Sequence, residues 1–337
     1  MSLLCFLIKK IINKIGKGVS KLKKVKIVAV TLLLVLGILS GCSGKAQEKT
    51  SGTPNGKIRI GVIYQNLQNE YIVGLQDSIR KYAKASGVDL IESDGEGKAE
   101  NQINQVENLI NQQVDAIILN PADKNGSAPV VEQAVAAKIP IITVLAVVSN
   151  EEKATAHVGS DDVEAGKIEM KHVAELLSGK GTIAIIHGPN GNSAEVNRTE
   201  GNKEVLKDYP NIKVAAEQTA NWSREEALAL TENWLQSQKL DAIVAQNDEM
   251  ALGAIKALSA AGKLKNTKVI GIDGIPDAFN SIQSGDLTAT VFQDVDSQGK
   301  MALEVAQKAA KGEKVPKENM VPFQLVNKDN LDKFKAK

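Results

Sequence analysis

Polar side chains follow the short apolar runs of this chain, and their types indicate which chemistry the chain can do. Neutral amides and carboxylates predominate, with one arginine and two aromatic residues. The positions are Gln65, Asn66, Asn69, Glu70, Tyr71, Asn120, Asp123, Asn190, Asn192, Ser193, Arg198, Asn221, Trp222, Gln246, Asn247, Asp248, Asp273, Gln293 and Asp294. Amides, carboxylates and a guanidinium together donate to and accept from hydroxyl groups, while an aromatic face covers C–H bonds. This set therefore suits a neutral, hydroxyl-rich ligand.

A catalytic or metal centre finds little support in the sequence. No Gly-X-Ser-X-Gly elbow is present, and no nucleophile stands beside a plausible base. His157, His172 and His187 are each 15 residues apart, which is not the spacing of metal ligands on one helix face. The only cysteines are Cys5 and Cys42. We therefore expect a binding protein without a cofactor or a metal, and not an enzyme.

Strand-like and helix-like segments alternate along the chain from residue 57. Segments such as 70–86 and 251–261 carry apolar residues at helical spacing. The short β-rich runs between such segments are 58–64, 88–92, 116–119, 139–144, 182–186, 212–216, 242–245, 269–272 and 288–292. This alternation predicts an α/β fold of two doubly wound parallel sheets with helices on both faces. Loops at the carboxyl ends of such strands form a ligand crevice, which is where the polar residues fall.

Length and charge restrict the class of protein further. A chain of 337 residues exceeds the roughly 250 to 300 residues at which single cores stop growing, so two lobes are expected. Eight lysines and no acidic residue fall within residues 1–41, and setting them aside changes the formal net charge from +1 to −7. Because nucleic-acid binding draws most of its affinity from clustered basic residues, no nucleic-acid partner is expected.

The N-terminal segment has the order of a bacterial secretory signal. Lysines at positions 21–26 precede the apolar run 27–39, which is shorter than the ~20 residues that span a bilayer. The sequence Leu39-Ser40-Gly41-Cys42 resembles the bacterial lipoprotein box, which implies that residues 1–41 are removed and that Cys42 is diacylated. Residues 42–56 then form a flexible tether. The alternatives are a chance cysteine after an ordinary signal and an uncleaved transmembrane helix.

Four stretches in the body of the chain resemble one family. They are Ala245–Gly253, Gly271–Asp277, Ile118–Pro121 and Asn197–Gly201, and their order and spacing match across residues 57–326. The family is that of the periplasmic sugar-binding proteins of the ribose-binding type, the solute receptors of ABC importers.

The resemblance implies a fold and a division of the chain. Two Rossmann-like lobes would be joined by a hinge of three crossings, near Ser160, Gln293 and Val321. The implied segments are 57–160 with 294–325 for the N-terminal lobe, 161–293 for the C-terminal lobe, and 326–337 for a tail.

The resemblance also implies the ligand residues, which are Asn69, Tyr71, Asn120, Arg198, Trp222, Asn247, Asp273 and Gln293. Arg198 would give a forked pair of hydrogen bonds to adjacent hydroxyls or to a ring oxygen. Asp273 and Asn247 would accept and donate on the opposite edge of the ligand. Tyr71 and Trp222 would sandwich the sugar ring.

One position departs from the family. A polar pair, typically Asp-Arg, follows the fourth strand in relatives of the ribose type, and this chain has the apolar residues 144–148 there, including Leu145 and Ala146. Ribose hydroxyls buried at that edge without partners would cost roughly 1 to 3 kcal/mol each. We infer that the ligand is not ribose itself, and that it is less oxygenated or differently oriented there.

Several polar residues admit a structural role beside a functional one. Asn247 is expected to contact the ligand and Asp248 to cap the helix that follows, although each can do either. Asp161 and Asp162 resemble a paired-carboxylate site, but we expect them to cap a helix near the hinge. Trp234 is expected in the core.

These features predict a lipid-anchored, extracytoplasmic binding protein. It would capture a sugar or polyol between its lobes, act as a monomer and deliver the ligand to the transmembrane subunits of an ABC permease. The alternative is a receptor that presents bound ligand to a chemotaxis or sensor protein. A sugar-responsive transcription repressor would need an N-terminal helix-turn-helix in place of the signal. A glycoside hydrolase would need two carboxylates about 5 to 10 Å apart across a scissile bond.

Overall fold

A computed structural model describes residues 56–335 of the chain. The predicted signal peptide, Cys42 and nearly all of the predicted tether therefore lie outside the described residues. Within residues 56–335, no helix combines the length and the apolar character needed to cross a membrane.

Strands and helices alternate through most of the described chain. The strands are β1 Arg59–Tyr64, β2 Asp89–Asp94, β3 Ala116–Leu119, β4 Ile141–Val144, β5 Ala156–Gly159, β6 Lys180–His187, β7 Asn211–Thr219, β8 Ala242–Ala245, β9 Lys268–Asp273, β10 Ala289–Phe292, β11 Glu318–Met320 and β12 Gln324–Asn327. The helices are α1 Glu70–Ser86, α2 Ala99–Asn111, α3 Ala128–Ala136, α4 Asp162–Leu176, α5 Ser193–Leu206, α6 Arg224–Trp234, α7 Asp248–Ala260, α8 Pro276–Ser284 and α9 Val295–Ala310. Short 3₁₀ turns lie at Glu151–Lys153, Leu264–Asn266 and Leu331–Lys333.

Two six-stranded sheets organise residues 56–335. Their strand orders are β11-β5-β4-β3-β1-β2 and β12-β10-β9-β8-β6-β7. Neighbouring strands are parallel throughout, except that β12 runs antiparallel to β10. The two parallel, helix-covered sheets confirm the predicted α/β class with two doubly wound lobes.

The central strands explain why the sequence shows continuous apolar runs. All four residues of β3 and of β4 are buried, and Ile117, Ile118 and Leu119 have no exposed surface. Both faces of each sheet carry helices, so side chains that alternate between the faces are apolar on both. Each fully buried side chain of this size stabilises the fold by about 1.5 to 3 kcal/mol.

Three crossings join the lobes. The chain passes from β5 to α4 at residues 160–161, from β10 to α9 at residues 293–294, and from β11 to β12 at residues 321–323. The crossings were implied near Ser160, Gln293 and Val321, and the lobe boundaries drawn from them stay a prediction. The long helix α9 packs on α1 and on strands β3, β4 and β5, so it belongs to the first lobe.

The last part of the chain lies with the second lobe. Strand β12 pairs with β10, and the Phe334 ring packs edge-on against Phe292, 5.2 Å between centroids. The implied end of the N-terminal lobe at residue 325 and the implied tail from residue 326 fall inside β12. We therefore propose that the last lobe boundary is at residues 321–323 and that residues 324–335 belong to the second lobe.

Candidate ligand-binding cleft

One cavity lies between the two lobes, at the carboxyl ends of the strands. Its volume is about 500 Å³, counting the part open to solvent. The lining residues are Gln65, Asn69, Tyr71, Ile72, Asn120, Leu145, Ala146, Ser160, Asp162, Asn192, Ala194, Arg198, Trp222, Asn247, Asp273 and Gln293. The eight residues implied as ligand contacts are all among them. Their contact with a ligand stays a prediction.

Arg198 is buried in the wall that the second lobe contributes. Its Nε donates to Asp162 Oδ1 at 2.9 Å, and its Nη1 donates to the backbone carbonyl of Gln246. The guanidinium carbon lies 5.6 Å from the centroid of the Trp222 ring and 5.9 Å from that of Phe323. Nη2 has no protein partner within residues 56–335, so this nitrogen and the second hydrogen of Nη1 remain for hydroxyl groups of a ligand.

Close packing of α4 on α5 positions Arg198. A Cβ atom on Gly166 would lie 2.2 Å from the Arg198 carbonyl oxygen, so only glycine allows this approach. Asp161 caps α4 by accepting from Val163 N at 3.0 Å, as expected for a residue before a helix. Asp162, in contrast, is not a cap: the proximity of α5 makes it the ion-pair partner of Arg198. Burial raises the pKa of the Asp162 carboxyl, although the Arg198 guanidinium opposes that shift.

Asp273 ends strand β9 in a strained conformation. Its φ of 133° lies in the region that favours glycine. The carboxylate is 4% exposed and accepts from Gln293 Nε2 at 2.8 Å. Burial raises the pKa of the Asp273 carboxyl well above its usual range, while the Arg198 guanidinium opposes the shift. A buried carboxylate with one side-chain donor retains acceptor capacity for hydroxyls.

Three asparagines of the cavity, Asn69, Asn192 and Asn247, cap helices with their side-chain oxygens. Asn69 Oδ1 accepts from Tyr71 N at 3.0 Å at the start of α1, and Asn247 Oδ1 accepts from Met250 N at 2.9 Å at the start of α7. The amide nitrogens are then the groups with hydrogens left for a ligand; Asn247 Nδ2 makes only a long contact, 3.5 Å, to the Trp222 carbonyl. Asn247 therefore combines the cap role with a place in the cavity.

The expectation that Asp248 caps this helix was wrong. Asn247 already occupies the cap position, which leaves Asp248 within the first turn of α7. The Asp248 carboxylate instead accepts from Gly274 N at 2.6 Å and from Thr290 Oγ1 at 2.7 Å. It holds the loop after β9 and is not among the cavity-lining residues.

Asn120 joins three segments of the first lobe. Its Oδ1 accepts from Gln65 N at 3.2 Å, and its Nδ2 donates to the Val144 carbonyl at 3.2 Å. The side chain is 2% exposed. Much of its hydrogen-bonding capacity is therefore committed to the ends of β1 and β4, and one N–H and one lone pair remain.

The two aromatic residues differ in their surroundings. The Tyr71 hydroxyl donates to Gln298 Oε1, so its single hydrogen is not available to a ligand. Trp222 has φ of 62°, and a Cβ atom on Gly188 would lie 2.1 Å from its ring, so the indole rests directly on that glycine. Both side chains line the cavity; the expected sandwich of a sugar ring between them stays a prediction.

The first lobe contributes apolar residues to the cavity. Leu145 and Ala146 line it where ribose-type relatives carry a polar pair, and Ile72 of the same lobe lines it as well. Leu145 has φ of 64°, a conformation in which asparagine and aspartate are favoured over leucine. The apolar side chains that stand in place of the polar pair therefore form part of the surface that a ligand would meet.

Sequence reasoning missed several residues of the cavity as candidate ligand contacts. For Gln65 and Asn192, the only signal in the sequence is that each follows an apolar run. Ser160 was taken only as a hinge position and Asp162 only as a cap, since a cap and an ion-pair partner look alike in sequence. Ala194 carries no signal at all.

The lobes contact each other on both rims of the cleft. On one rim, Lys124 N donates to the Gly191 carbonyl at 2.9 Å, and Val147 N donates to Ser193 Oγ at 2.8 Å. Asn192 Nδ2 also donates to a carbonyl of the first lobe, at Ala122, 3.3 Å away.

Arg224 lies on the other rim. It bonds to Glu249 at 2.6 Å and to Asp277 at 3.0 Å within its own lobe, and its Nη2 lies 3.8 Å from Glu70 of the first lobe. With contacts on both rims, the cleft is closed in this structure. Gln65, Asn69 and Trp222 also line an adjoining groove.

Among residues 56–335, no group of three or more histidine, cysteine, aspartate or glutamate side chains is arranged to hold a metal ion. The two carboxylates that line the cleft are engaged by the Arg198 guanidinium and by the Gln293 amide.

Comparison with known proteins shows which family has this architecture. The family described as "Periplasmic binding protein domain" matches residues 60–314. A xylitol-binding protein of Mycolicibacterium smegmatis is 40% identical over 276 residues, which cover 81% of this chain and 78% of that protein. The ribose import binding protein of Bacillus subtilis is 35% identical over 304 residues, which cover 89% of this chain and 98% of that protein.

A solved structure extends the likeness to three dimensions. The ABC transporter solute-binding protein of Bacillus halodurans, determined with bound myo-inositol, is 40% identical and superimposes with a TM-score of 0.81. The match covers 85% of this chain and 99% of that chain. The implied resemblance is thereby confirmed: the chain belongs to the periplasmic binding proteins of the ribose-binding type, a family of solute-binding proteins of ABC transporters and not of enzymes.

Proposed function

We propose that this protein captures a sugar or polyol in the cleft between its lobes. The observation that carries the proposal is that Arg198, Asp273 and Asn247 line one cavity together with amides of the other lobe. Guanidinium, carboxylate and amide groups match the alternating donors and acceptors of adjacent hydroxyls. The relatives named for xylitol and ribose, and the structure with myo-inositol, support a neutral polyhydroxylated ligand.

Ribose itself fits this cavity less well than an alternative polyol. Leu145 and Ala146 offer no side-chain hydrogen bond where ribose-type relatives have two polar residues. A hydroxyl buried against them would lose its partners from water without replacement. The proposed ligand therefore presents C–H groups, or no group at all, to this edge.

Delivery to an ABC-type permease by hinge closure is the second part of the proposal. A ligand that contacts both walls stabilises the closed form by interactions absent from the open form, so it shifts the population toward closure about residues 160–161, 293–294 and 321–323. The permease would then recognise the closed form. The alternative is that the protein presents bound ligand to a sensor protein. It is not favoured, since relatives of this chain are named as ribose import binding proteins.

Anchoring through Cys42 is the third part. Its support is the sequence Leu39-Ser40-Gly41-Cys42 after a basic and then an apolar segment. Two acyl chains give stable membrane attachment, where one gives only marginal binding. We therefore propose an extracytoplasmic protein held at the cell membrane. A Cys42→Ser variant should leave the membrane fraction; retention there would contradict lipid anchoring.

Thermal unfolding against a ligand panel tests the capture of a sugar or polyol. The panel comprises pentoses, hexoses, deoxy sugars, acyclic polyols and inositols. A ligand at 100 times its dissociation constant adds ~2.7 kcal/mol to the free energy of unfolding, which should raise the midpoint by roughly 5 °C or more. The Arg198→Lys variant is the control, because it keeps a positive charge beside Asp162 but loses the forked donor. A panel without any shift would contradict the proposed ligand class.

A further inference from the structure

Gln298 occupies the point where the hinge meets the cavity. It lies near the start of α9 and has no exposed surface. Its Nε2 donates to Ser160 Oγ at 2.9 Å and approaches Gln293 Oε1 at 3.5 Å, while its Oε1 accepts from the Tyr71 hydroxyl. Gln298 therefore contacts the first and second crossings and one aromatic residue of the site. It does not line the cavity itself.

The contacts of Gln298 form part of a chain of hydrogen bonds in which every donor points the same way. Tyr71 donates to Gln298, Gln298 donates to Gln293, and Gln293 Nε2 donates to Asp273 Oδ1 at 2.8 Å. The chain starts in the first lobe, passes through the second crossing and ends on a buried carboxylate of the second lobe. Successive donors that point the same way polarise one another, so each member favours the orientation of the next.

The direction of the chain fixes what three cavity residues can offer a ligand. The Tyr71 hydroxyl can accept but not donate, because its hydrogen is directed to Gln298. The Gln293 amide must turn its nitrogen to Asp273, because the reversed amide would place two acceptor oxygens together and two N–H groups together. Asp273 then keeps one donor and has its remaining lone pairs for hydroxyls of the ligand.

We propose that Gln298 is a positioning residue of the binding site, which orients Tyr71 and Gln293 and, through Gln293, secures the hydrogen bond to Asp273. This inference rests on the proposed binding role of those three residues. Gln298 touches no ligand in this arrangement. Its effect reaches the ligand through the side chains that it orients.

Other charged groups around Asp273 also influence the pKa of its carboxyl, which is the quantity that a test would measure. The Arg198 guanidinium of α5 lowers the pKa of the Asp273 carboxyl, and Asp248 and Glu249 of α7 raise it. None of these groups contacts Gln298 through a hydrogen bond. A change at Gln298 therefore reaches Asp273 through Gln293, provided that the substitution introduces no charge.

The experiment measures the pKa of Asp273 in the ligand-free protein. Full-length protein, purified in detergent and labelled with carboxyl-¹³C aspartate, is titrated by NMR, and the Asp273 signal is assigned with an Asp273→Asn variant. Gln298→Met is similar in length, carries no charge and makes no amide hydrogen bond. Gln298→Glu keeps the acceptor for Tyr71 and removes the donors. Gln307→Met on the same helix, whose Nε2 bonds only to Ser86 Oγ, is the matched control.

We expect the pKa of Asp273 to rise in both Gln298 variants and to be unchanged in the Gln307 control. An unchanged pKa in Gln298→Met overturns the positioning role, and a rise in Gln298→Glu alone is a charge effect that overturns it too. Circular dichroism at each pH verifies folding, and Gln298→Leu, which is also uncharged and makes no amide hydrogen bond, replaces Gln298→Met if that variant does not fold.

A second measurement uses the strongest ligand of the panel. Loss of a hydrogen bond to a charged group corresponds to a decrease in affinity of about tenfold or more, which we expect for Gln298→Met but not for Gln307→Met. Equal affinities would overturn the positioning role. If wild-type protein binds no sugar or polyol, the proposed function fails, while the NMR titration still decides the role of Gln298.

Discussion

The two walls of the cleft differ in how they hold charge. The second lobe places Arg198 against Asp162 and brings Asp273 to the same cavity, with every one of these side chains buried. The first lobe contributes neutral amides and the apolar pair Leu145 and Ala146. The same doubly wound architecture thus supplies a charged wall on one side and a neutral, partly apolar wall on the other.

This difference has consequences for recognition and for pH response. A charged group forms stronger hydrogen bonds than a neutral one, so the second lobe should provide most of the affinity for hydroxyls. The first lobe should exclude ligands that need polar partners at every edge. Burial raises the pKa of several carboxyls of the second lobe, which include Asp162, Glu169, Asp248 and Asp273, whereas the first lobe holds His157, whose pKa burial lowers to about 4.

The largest expected effect is at the centre of the charged wall. Arg198→Ala removes the guanidinium donors from the cavity and leaves Asp162 buried without its partner, which typically costs about 3 to 5 kcal/mol of stability. We expect binding to fall at least about a hundredfold, by loss of two or more charged hydrogen bonds. Calorimetric titration and thermal unfolding measure the two effects. Unchanged affinity would contradict the assignment of this wall.

A stability change with pH is expected next. Burial raises the pKa of Glu169 to about 8, so the folded protein holds a proton that the unfolded chain releases. The free energy of unfolding should therefore fall as the pH rises from about 4.5 to 8, by roughly 4 kcal/mol at most from this group.

Glu169→Gln tests this expectation because it replaces the neutral acid with a neutral amide of the same shape. Denaturant titrations at pH 5 and pH 8 should show a smaller loss of stability in the variant than in the wild type. Equal losses in both proteins would mean that Glu169 is not the group that responds. Glu175→Gln, on the same helix and exposed, serves as the control.

A smaller, selective effect is expected from the neutral wall. The double substitution Leu145→Asp and Ala146→Arg restores the polar pair of ribose-type relatives, and aspartate tolerates the positive φ at position 145 better than leucine. We expect the preference for ribose over the native ligand to increase by about tenfold. Competition titrations measure the ratio. An unaltered ratio would show that this edge does not contact the ligand.

The smallest effect is expected on the rim. Arg224→Ala removes the 3.8 Å contact with Glu70, between two partly exposed side chains. Exposed ion pairs of this kind contribute about 1 kcal/mol or less, so affinity should change by no more than about fivefold. A hundredfold loss in titrations would place the main recognition groups outside the cavity.

The fold was largely predictable because the central strands are buried on both faces. Runs such as 58–64 and 242–245 stand out as continuous apolar segments, and their alternation with helical patterns defines the class. Strands β5, β11 and β12 were missed, since their sequences AHVG, ENM and QLVN contain no continuous apolar run.

The site was predictable in its membership but not in its hydrogen bonds. Strand ends and the family resemblance led to eight residues that share one cavity. The sequence does not show that the side-chain oxygens of Asn69, Asn120 and Asn247 accept hydrogen bonds from backbone N–H groups of the protein. Asp162 and Gln298 act through partners that are 36 and 138 to 227 residues away, so only the tertiary structure shows their contacts.

A crystal structure with the strongest ligand of the panel tests the central claim most directly. We predict that the ligand lies in the cavity, with its hydroxyls within hydrogen-bonding distance of Arg198, Asp273 and Asn247, and with C–H groups against Leu145 and Ala146. A ligand outside this cavity, or one whose hydroxylated edge faces Leu145 and Ala146, would contradict the division of the cleft into a charged and an apolar wall.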